Sequence, residues 1–241
     1  MLAFLATVPV RAQSLGEKLA SEKLADVREG TYQAGNIVFT LDRDGGHYLL
    51  RFANEPEIFV LYADHASLGG RVLKYDSGQV VLKITGWGGM TVYTDKKPDG
   101  LPAVRNGDSD PPSLPAVSLA AMKHAASDEA EHLAYMHRLN LSFSADWNKL
   151  AGDAGLRALS FDTLENTARG IGRFASMPKG QSAIASHVKI VMMAESRKPT
   201  LQLKGNTLIV TYDPDMGYAG RASSRAIARG LSKIFHIQSK P

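Results

Sequence analysis

Ser186-His187-Val188-Lys189 has the Ser-x-x-Lys spacing in which a lysine amine can take the proton of a serine nucleophile. That chemistry also needs Ser-x-Asn and Lys-Thr/Ser-Gly elements and a serine that opens a helix. The chain has neither element, and Ser186 is expected to lead into a strand, so the match reads as chance. His124, Asp128 and His132 fall on one face of an expected helix. The outer two are about 12 Å apart along the axis, too far for one metal ion, which favours local His–carboxylate contacts on a solvated face. Asp42-Arg-Asp44-Gly-Gly46 and Asp213-Pro-Asp215-Met-Gly217 open like calcium loops, but the twelfth positions are Ala53 and Ser224 in place of a glutamate; both read as turns. Gly170-Ile-Gly172-Arg-Phe-Ala175 imitates a dinucleotide fingerprint at the end of a helix, where no helix N-terminus can face a pyrophosphate. No Gly-x-Ser-x-Gly elbow is present. The sequence therefore nominates no catalytic residue, no metal ligand and no cofactor.

Two features point to binding. In Gly86-Trp87-Gly88-Gly89 the glycines allow close backbone approach or positive φ around a large aromatic. Trp87 then either plugs the core at a barrel corner or forms an exposed platform for a sugar or peptide, with Tyr75 and Tyr93 lining the same groove. Arg221, Arg225, Arg229 and Lys233 recur every fourth residue, while Ile227, Leu231, Ile234 and Phe235 take another face. This is an amphipathic helix with a basic ridge, either simply solvated or directed at an anionic surface. Phospholipid headgroups, an acidic polysaccharide or an acidic envelope protein fit that ridge. Nucleic acid does not, because no aromatic residues are interleaved with the cations.

Composition sets the frame for these residues. With 44% hydrophobic and 22% charged residues the chain has the balance of a globular protein. It has no cysteine, which excludes disulfides, thiolate catalysis and iron–sulfur clusters. The net charge of +4 is concentrated in residues 216–241, which hold five cations and no acid. Residues 1–12 read as an export signal: an apolar run ending in Val10-Arg11-Ala12, with Gln13 starting the mature chain, although no Lys or Arg precedes the run. The run is about half the length of a membrane span, and no later stretch reaches that length.

The elements follow from periodicity. A short amphipathic helix is expected over 14–28, ended by Gly30. Residues 31–105 hold about six strands: 37–41, 47–52, 57–62, 70–75, 79–85 and 90–94. Asp44-Gly45-Gly46 and Asp76-Ser77-Gly78 supply tight turns. A small antiparallel barrel or sandwich accommodates them. Residues 106–115, rich in proline, form a linker. Residues 116–241 are mixed: helices over 116–139, 151–175 and 218–235, a short strand at 141–143, a strong strand at 188–194, and a hairpin of 201–204 with 207–212 across Gly205-Asn206. The fold class is α+β, with an N-terminal β domain and a mixed C-terminal domain.

Gly69-Gly70-Arg71-Val72-Leu73-Lys74-Tyr75-Asp76-Ser77-Gly78, followed by Gly86-Trp87-Gly88-Gly89-Met90-Thr91-Val92-Tyr93-Thr94, resembles a bacterial exported family known only as a domain of unknown function. The resemblance spans roughly residues 30–105. It implies an envelope protein, periplasmic or secreted, and carries over no activity and no site residue. The expected function is thus an exported, envelope-associated binding or structural protein. The alternative is a hydrolase of an envelope polymer, in which His47, Asp64, His65, Ser186 or His187 converge in the fold.

Overall fold

A computed structural model of the chain describes residues 27–237. The expected export signal, and the expected helix apart from its last two residues, lie outside these; Val27 and Arg28 are irregular. The fold is α+β. Strands β1 (Gly30–Ala34), β2 (Ile37–Asp44), β3 (His47–Phe52), β4 (Ile58–His65), β5 (Arg71–Tyr75), β6 (Val80–Ile84), β7 (Met90–Thr94) and β8 (Lys97–Gly107) form an antiparallel meander that closes into a barrel by pairing β1 with β8. Eight strands enclose a space that side chains alone can fill. Phe39, Leu41, Leu50, Phe59, Leu61, Leu73, Leu82 and Val92 fill it here. One aromatic ring from each of β1 to β5 forms a continuous file: Tyr32, Phe39, Phe52, Phe59 and Tyr75, with successive centroids 5.4, 6.0, 6.5 and 5.0 Å apart.

Two of the eight strands, β1 and β8, were not among the six expected. β8 contains Pro98, Gly100 and Pro102, which reads as a loop. The pairing explains why it is nevertheless a strand. Residues up to Ala103 pair with β7, and Val104 to Gly107 pair with β1. Both prolines therefore sit in the half of β8 that has a single hydrogen-bonded neighbour, where a missing N–H is tolerated. Because β8 runs to Gly107, the irregular connection to the C-terminal part begins at Asp108.

The C-terminal part contains α1 (Leu119–His137), β9 (Ser142–Ser144), α2 (Trp147–Gly152), α3 (Ala154–Ala175), α4 (Gly180–His187), β10 (Ile190–Glu195), β11 (Thr200–Lys204), β12 (Thr207–Tyr212), a turn at Pro214–Gly220, and α5 (Ser224–Ile234). Its mixed sheet has the order β11-β12-β10-β9; β10 is parallel to both neighbours and β11 is antiparallel to β12. The inward residues of α3 are those its periodicity predicts: Leu156, Leu159, Leu164, Ala168, Ile171 and Phe174 are all buried. On α1 Met122, Ala126 and Leu133 are buried, and Met136 faces outward. Helix α4 was not expected. It places Ser186 near the end of a helix, so Ser186 neither opens a helix nor leads directly into a strand. The expected last helix divides into the Pro214–Gly220 turn and α5. Ser223 caps α5 by accepting the Ala226 N–H at 3.2 Å. Among the described residues no helix is long and apolar enough to cross a membrane.

Candidate functional site

A meander barrel sorts its loops into two ends. The β3–β4, β5–β6 and β7–β8 loops share one end and carry Glu55, Glu57, Asp76 and Asp95. The start of α5 is docked against that end. Ser224 donates its N–H and hydroxyl to the Glu57 carboxylate at 2.7 and 2.5 Å. Ser223 does the same to Asp76, also at 2.7 and 2.5 Å. Two barrel carboxylates thus satisfy the first N–H groups of a helix from another part of the chain and meet its positive dipole end. Arg225 forms a two-pronged ion pair with Asp95 at 2.8 and 3.0 Å, donates to Gln79 at 2.9 Å, and lies 4.6 Å from the Tyr75 ring centre. Arg221, whose side chain is fully buried, pairs with Asp162 of α3 and donates to the Ile58 carbonyl at 2.7 Å. Beside it, outward-facing Leu49 and Val60 pack on Tyr218. Burial pushes the Tyr218 hydroxyl up to about 12, with Asp162 acting in the same direction.

The structure therefore divides the basic ridge. Arg221 and Arg225 belong to the barrel interface, and Arg229 and Lys233 remain exposed. The aromatic groove divides as well. Tyr75 is an interior residue beneath Arg225, at the acidic end. Trp87 sits on the β6–β7 loop, at the opposite end, and is 81% exposed. Tyr93 is half-buried on β7, with the Lys83 ammonium 5.1 Å from its ring centre. Trp87 is thus solvent-exposed and not a core plug, and neither tyrosine stands beside it.

What stands next to Trp87 is Leu68, on the β4–β5 loop, also 81% exposed. The two loops touch: a Cβ on Gly86 would lie 2.4 Å from the Leu68 carbonyl oxygen, so only glycine permits the approach. Leu68 has φ 55° and ψ 38°, a left-handed conformation that an L-residue with a bulky side chain rarely adopts. Sequence reasoning weighed Trp87 but missed Leu68. The available signal was Leu68-Gly69-Gly70, an apolar residue flanked by turn glycines.

A cleft of about 430 Å³ lies between α1 and α3, lined by Glu129, His132, Leu133, His137, Arg169 and Arg173 among others. Burial raises the Glu129 carboxyl above its ordinary range, helped by Glu165 and opposed by His132 and Arg169. Arg169 is paired to Glu165 at 2.5 Å. Arg173 lies 3.9 Å from Glu55 and 3.8 Å from Asp95, joining the cleft to the acidic barrel end. The hydrolase candidates do not gather there. His47 packs on Tyr62 with ring centres 4.8 Å apart, Asp64 pairs with Lys74 at 2.5 Å, and His65 is exposed on the barrel. Ser186 and His187 stand on α4, where the His187 Nδ1 is 2.9 Å from the Ala183 carbonyl. His124 and Asp128 form a local pair at 2.6 Å on exposed α1. Among the described residues no group of three metal-ligating side chains is placed to hold an ion.

No curated protein and no solved structure matches the chain. A family model covers residues 11–231, through both the barrel and the mixed part. The chain accordingly belongs to the family described as Domain of unknown function (DUF4908).

Proposed function

We propose that this is an exported, envelope-associated protein that works by surface contact and not by bond chemistry. The observation that carries the reading is the opposite character of the two barrel ends. One end is acidic and locked onto α5 through Glu57, Asp76 and Asp95, whereas the other presents Trp87 and Leu68 to solvent. Large apolar side chains held out at a loop tip are the usual anchors of an interface. The anionic surface expected to meet the α5 ridge meets only Arg229 and Lys233 there, since Arg221 and Arg225 face the barrel. The hydrolase alternative would need Ser186 and His187, which stand on α4, to meet His47, Asp64 and His65, which stand on the barrel. Cell fractionation with N-terminal sequencing tests the reading. A mature chain beginning near Gln13 in the envelope fraction is expected. A cytoplasmic chain retaining Met1, or turnover of an envelope polymer by the purified protein, overturns it.

A further inference from the structure

We infer that the end of the mixed part where α1, α3, α4 and α5 finish is a basic face that docks on an anionic phospholipid surface. The inference deepens the proposed function and rests on export for such a surface to be met in the cell; docking itself is a property of the purified chain.

Topology builds the face. β9 and β10 are parallel, so the chain leaving α1 and the chain leaving α4 enter the sheet from the same edge. The β11–β12 turn lies at that edge too. Its Asn206 carbonyl accepts the N–H groups of Lys189 and Ile190 at 2.8 and 3.2 Å, and the Lys189 carbonyl accepts the Ser142 N–H at 3.0 Å. Phe235, just past α5, stacks on Phe174 of α3 with ring centres 5.7 Å apart and lies 5.5 Å from the His187 ring of α4. His137 closes α1 over Gly172 of α3. Helix α5, which starts on the acidic barrel end, finishes here, 11 residues or about 16 Å further on.

The first observation is charge. Arg138, Lys179, Lys189, Lys204 and Lys233 are exposed on this face, and none has an ion-pair partner among the described residues. The segments that form it, 132–145, 166–194, 196–212 and 216–237, contain no Asp or Glu. The last acid of α1, Glu131, lies about 10 Å before Arg138 by helical rise. The barrel acids that reach α3 and α5, Glu55 and Asp95, are met there by Arg173 and Arg225. Helix dipoles attract cations to helix ends, and Lys189 donates to the Ala185 carbonyl at 3.2 Å in that way. Lys204 ends a strand, and its ammonium makes no hydrogen bond among the described residues. The second observation is conformation. Arg138, Lys179 and His236 have φ of 56°, 67° and 52°, a region that glycine or asparagine enters more easily. Among the described residues only Leu68 shares it without being glycine. Where three turns favour glycine, the chain keeps a basic residue on one face. The third is the kind of cation and its company. Four of the five are lysines, which act as hydrated point charges, whereas arginine forks suit the phosphodiesters of a nucleic acid or the carboxylates of a polysaccharide. The five come from separate segments and are dispersed over a face, as a plane of headgroups requires. Tyr135 and Met136, 87% and 56% exposed in the last turn of α1, add an aromatic and an apolar side chain suited to headgroup depth.

The test uses the full chain with vesicles of phosphatidylglycerol and phosphatidylcholine, compared with vesicles of phosphatidylcholine alone, and reads partitioning by co-sedimentation. We expect binding that favours the anionic vesicles and falls steeply with salt. Lys189→Glu with Lys204→Glu should weaken it about thirtyfold or more at low salt. Tyr135→Ser with Met136→Ser should weaken it about fivefold. Lys83→Glu with Lys123→Glu makes the same change in net charge on exposed sites of the barrel and the start of α1, and should leave partitioning within about twofold. The substituted side chains on the basic face are exposed, so the melting temperature should hold; if Lys189→Glu lowers it, Lys204→Glu with Lys233→Glu repeats the test and should show the same loss of binding. Absent partitioning, equal loss in the Lys83 and Lys123 variant, or preference for duplex DNA or an acidic polysaccharide over the vesicles overturns the inference. A cytoplasmic chain retaining Met1 would overturn export while leaving vesicle binding intact, so the two failures are distinguishable.

Discussion

Glu57 and Asp95 belong to one interface and respond to pH with opposite sign. Burial raises the Glu57 carboxyl above its ordinary 4.5, and the two Ser224 hydrogen bonds only partly offset it. The bond from Arg225 holds Asp95 below its ordinary 3.8. A carboxyl raised on folding contributes fully below its unfolded value, and the contribution is lost as pH rises through the folded value; a lowered one contributes above its unfolded value and is lost as pH falls through the folded value. Asp95 therefore weakens the fold below 3.8, and Glu57 weakens it above 4.5. Glu57→Gln keeps an oxygen to accept the Ser224 N–H and removes the charge. Its urea midpoint should rise relative to the parent as pH increases above about 4.5. Parallel midpoint curves over that range would show that Glu57 is not the group concerned. Sequence alone named Arg221 and Arg225 but placed them outward, toward solvent or an anionic surface, because four-residue spacing shows that side chains share a stripe and does not show what faces the stripe.

At the scale of elements, Gly170 and Gly172 show what the apparent dinucleotide motif does. A Cβ on Gly170 would stand 2.5 Å from the Ile227 Cβ and 2.9 Å from the Ser224 carbonyl oxygen, so this glycine lets α3 and α5 cross closely. One on Gly172 would stand 3.2 Å from the His137 Nε2, toward α1. Alanine is a better helix former than glycine by about 1 kcal/mol. Even so, Gly170→Ala should lower stability by about 2 kcal/mol, because the clash includes backbone. A raised melting temperature would contradict the packing described. The hairpins were legible in the sequence because glycine turns separate runs of period two; Gly45-Gly46 and Gly205-Asn206 both fall between observed strands. β8 was not legible, since its two prolines are excused only by which neighbour each half pairs with. The run Ile58-Phe59-Val60-Leu61 did hold a clue to the interface. Unbroken apolar residues in an antiparallel strand mean burial on both faces, and Val60 is indeed covered from outside by Tyr218.

At the scale of the whole molecule, the barrel and the mixed part share charged, apolar and helix-capping contacts and should unfold together. Arg225→Glu places an anion among Asp95, Glu55 and the Tyr75 ring, and should cost about 2 kcal/mol, with both parts melting in one transition at lower temperature. Adding Asp95→Arg should restore part of the loss, because the ion pair returns while the contact with Tyr75 does not. Two separate transitions in the single variant would mean that the parts fold independently. The same contacts fix orientation. With α5 seated on the acidic rim and Trp87 at the far rim, the eight strands work as a spacer. At about 3.3 Å per residue, less the tilt of a closed barrel, the five to eight residues of each of β1 to β7 set a gap of about 15–20 Å. The α/β part is thereby held at a fixed distance from the rim that carries Trp87, and lengthening or shortening the strands would change that distance without altering the α5 contacts.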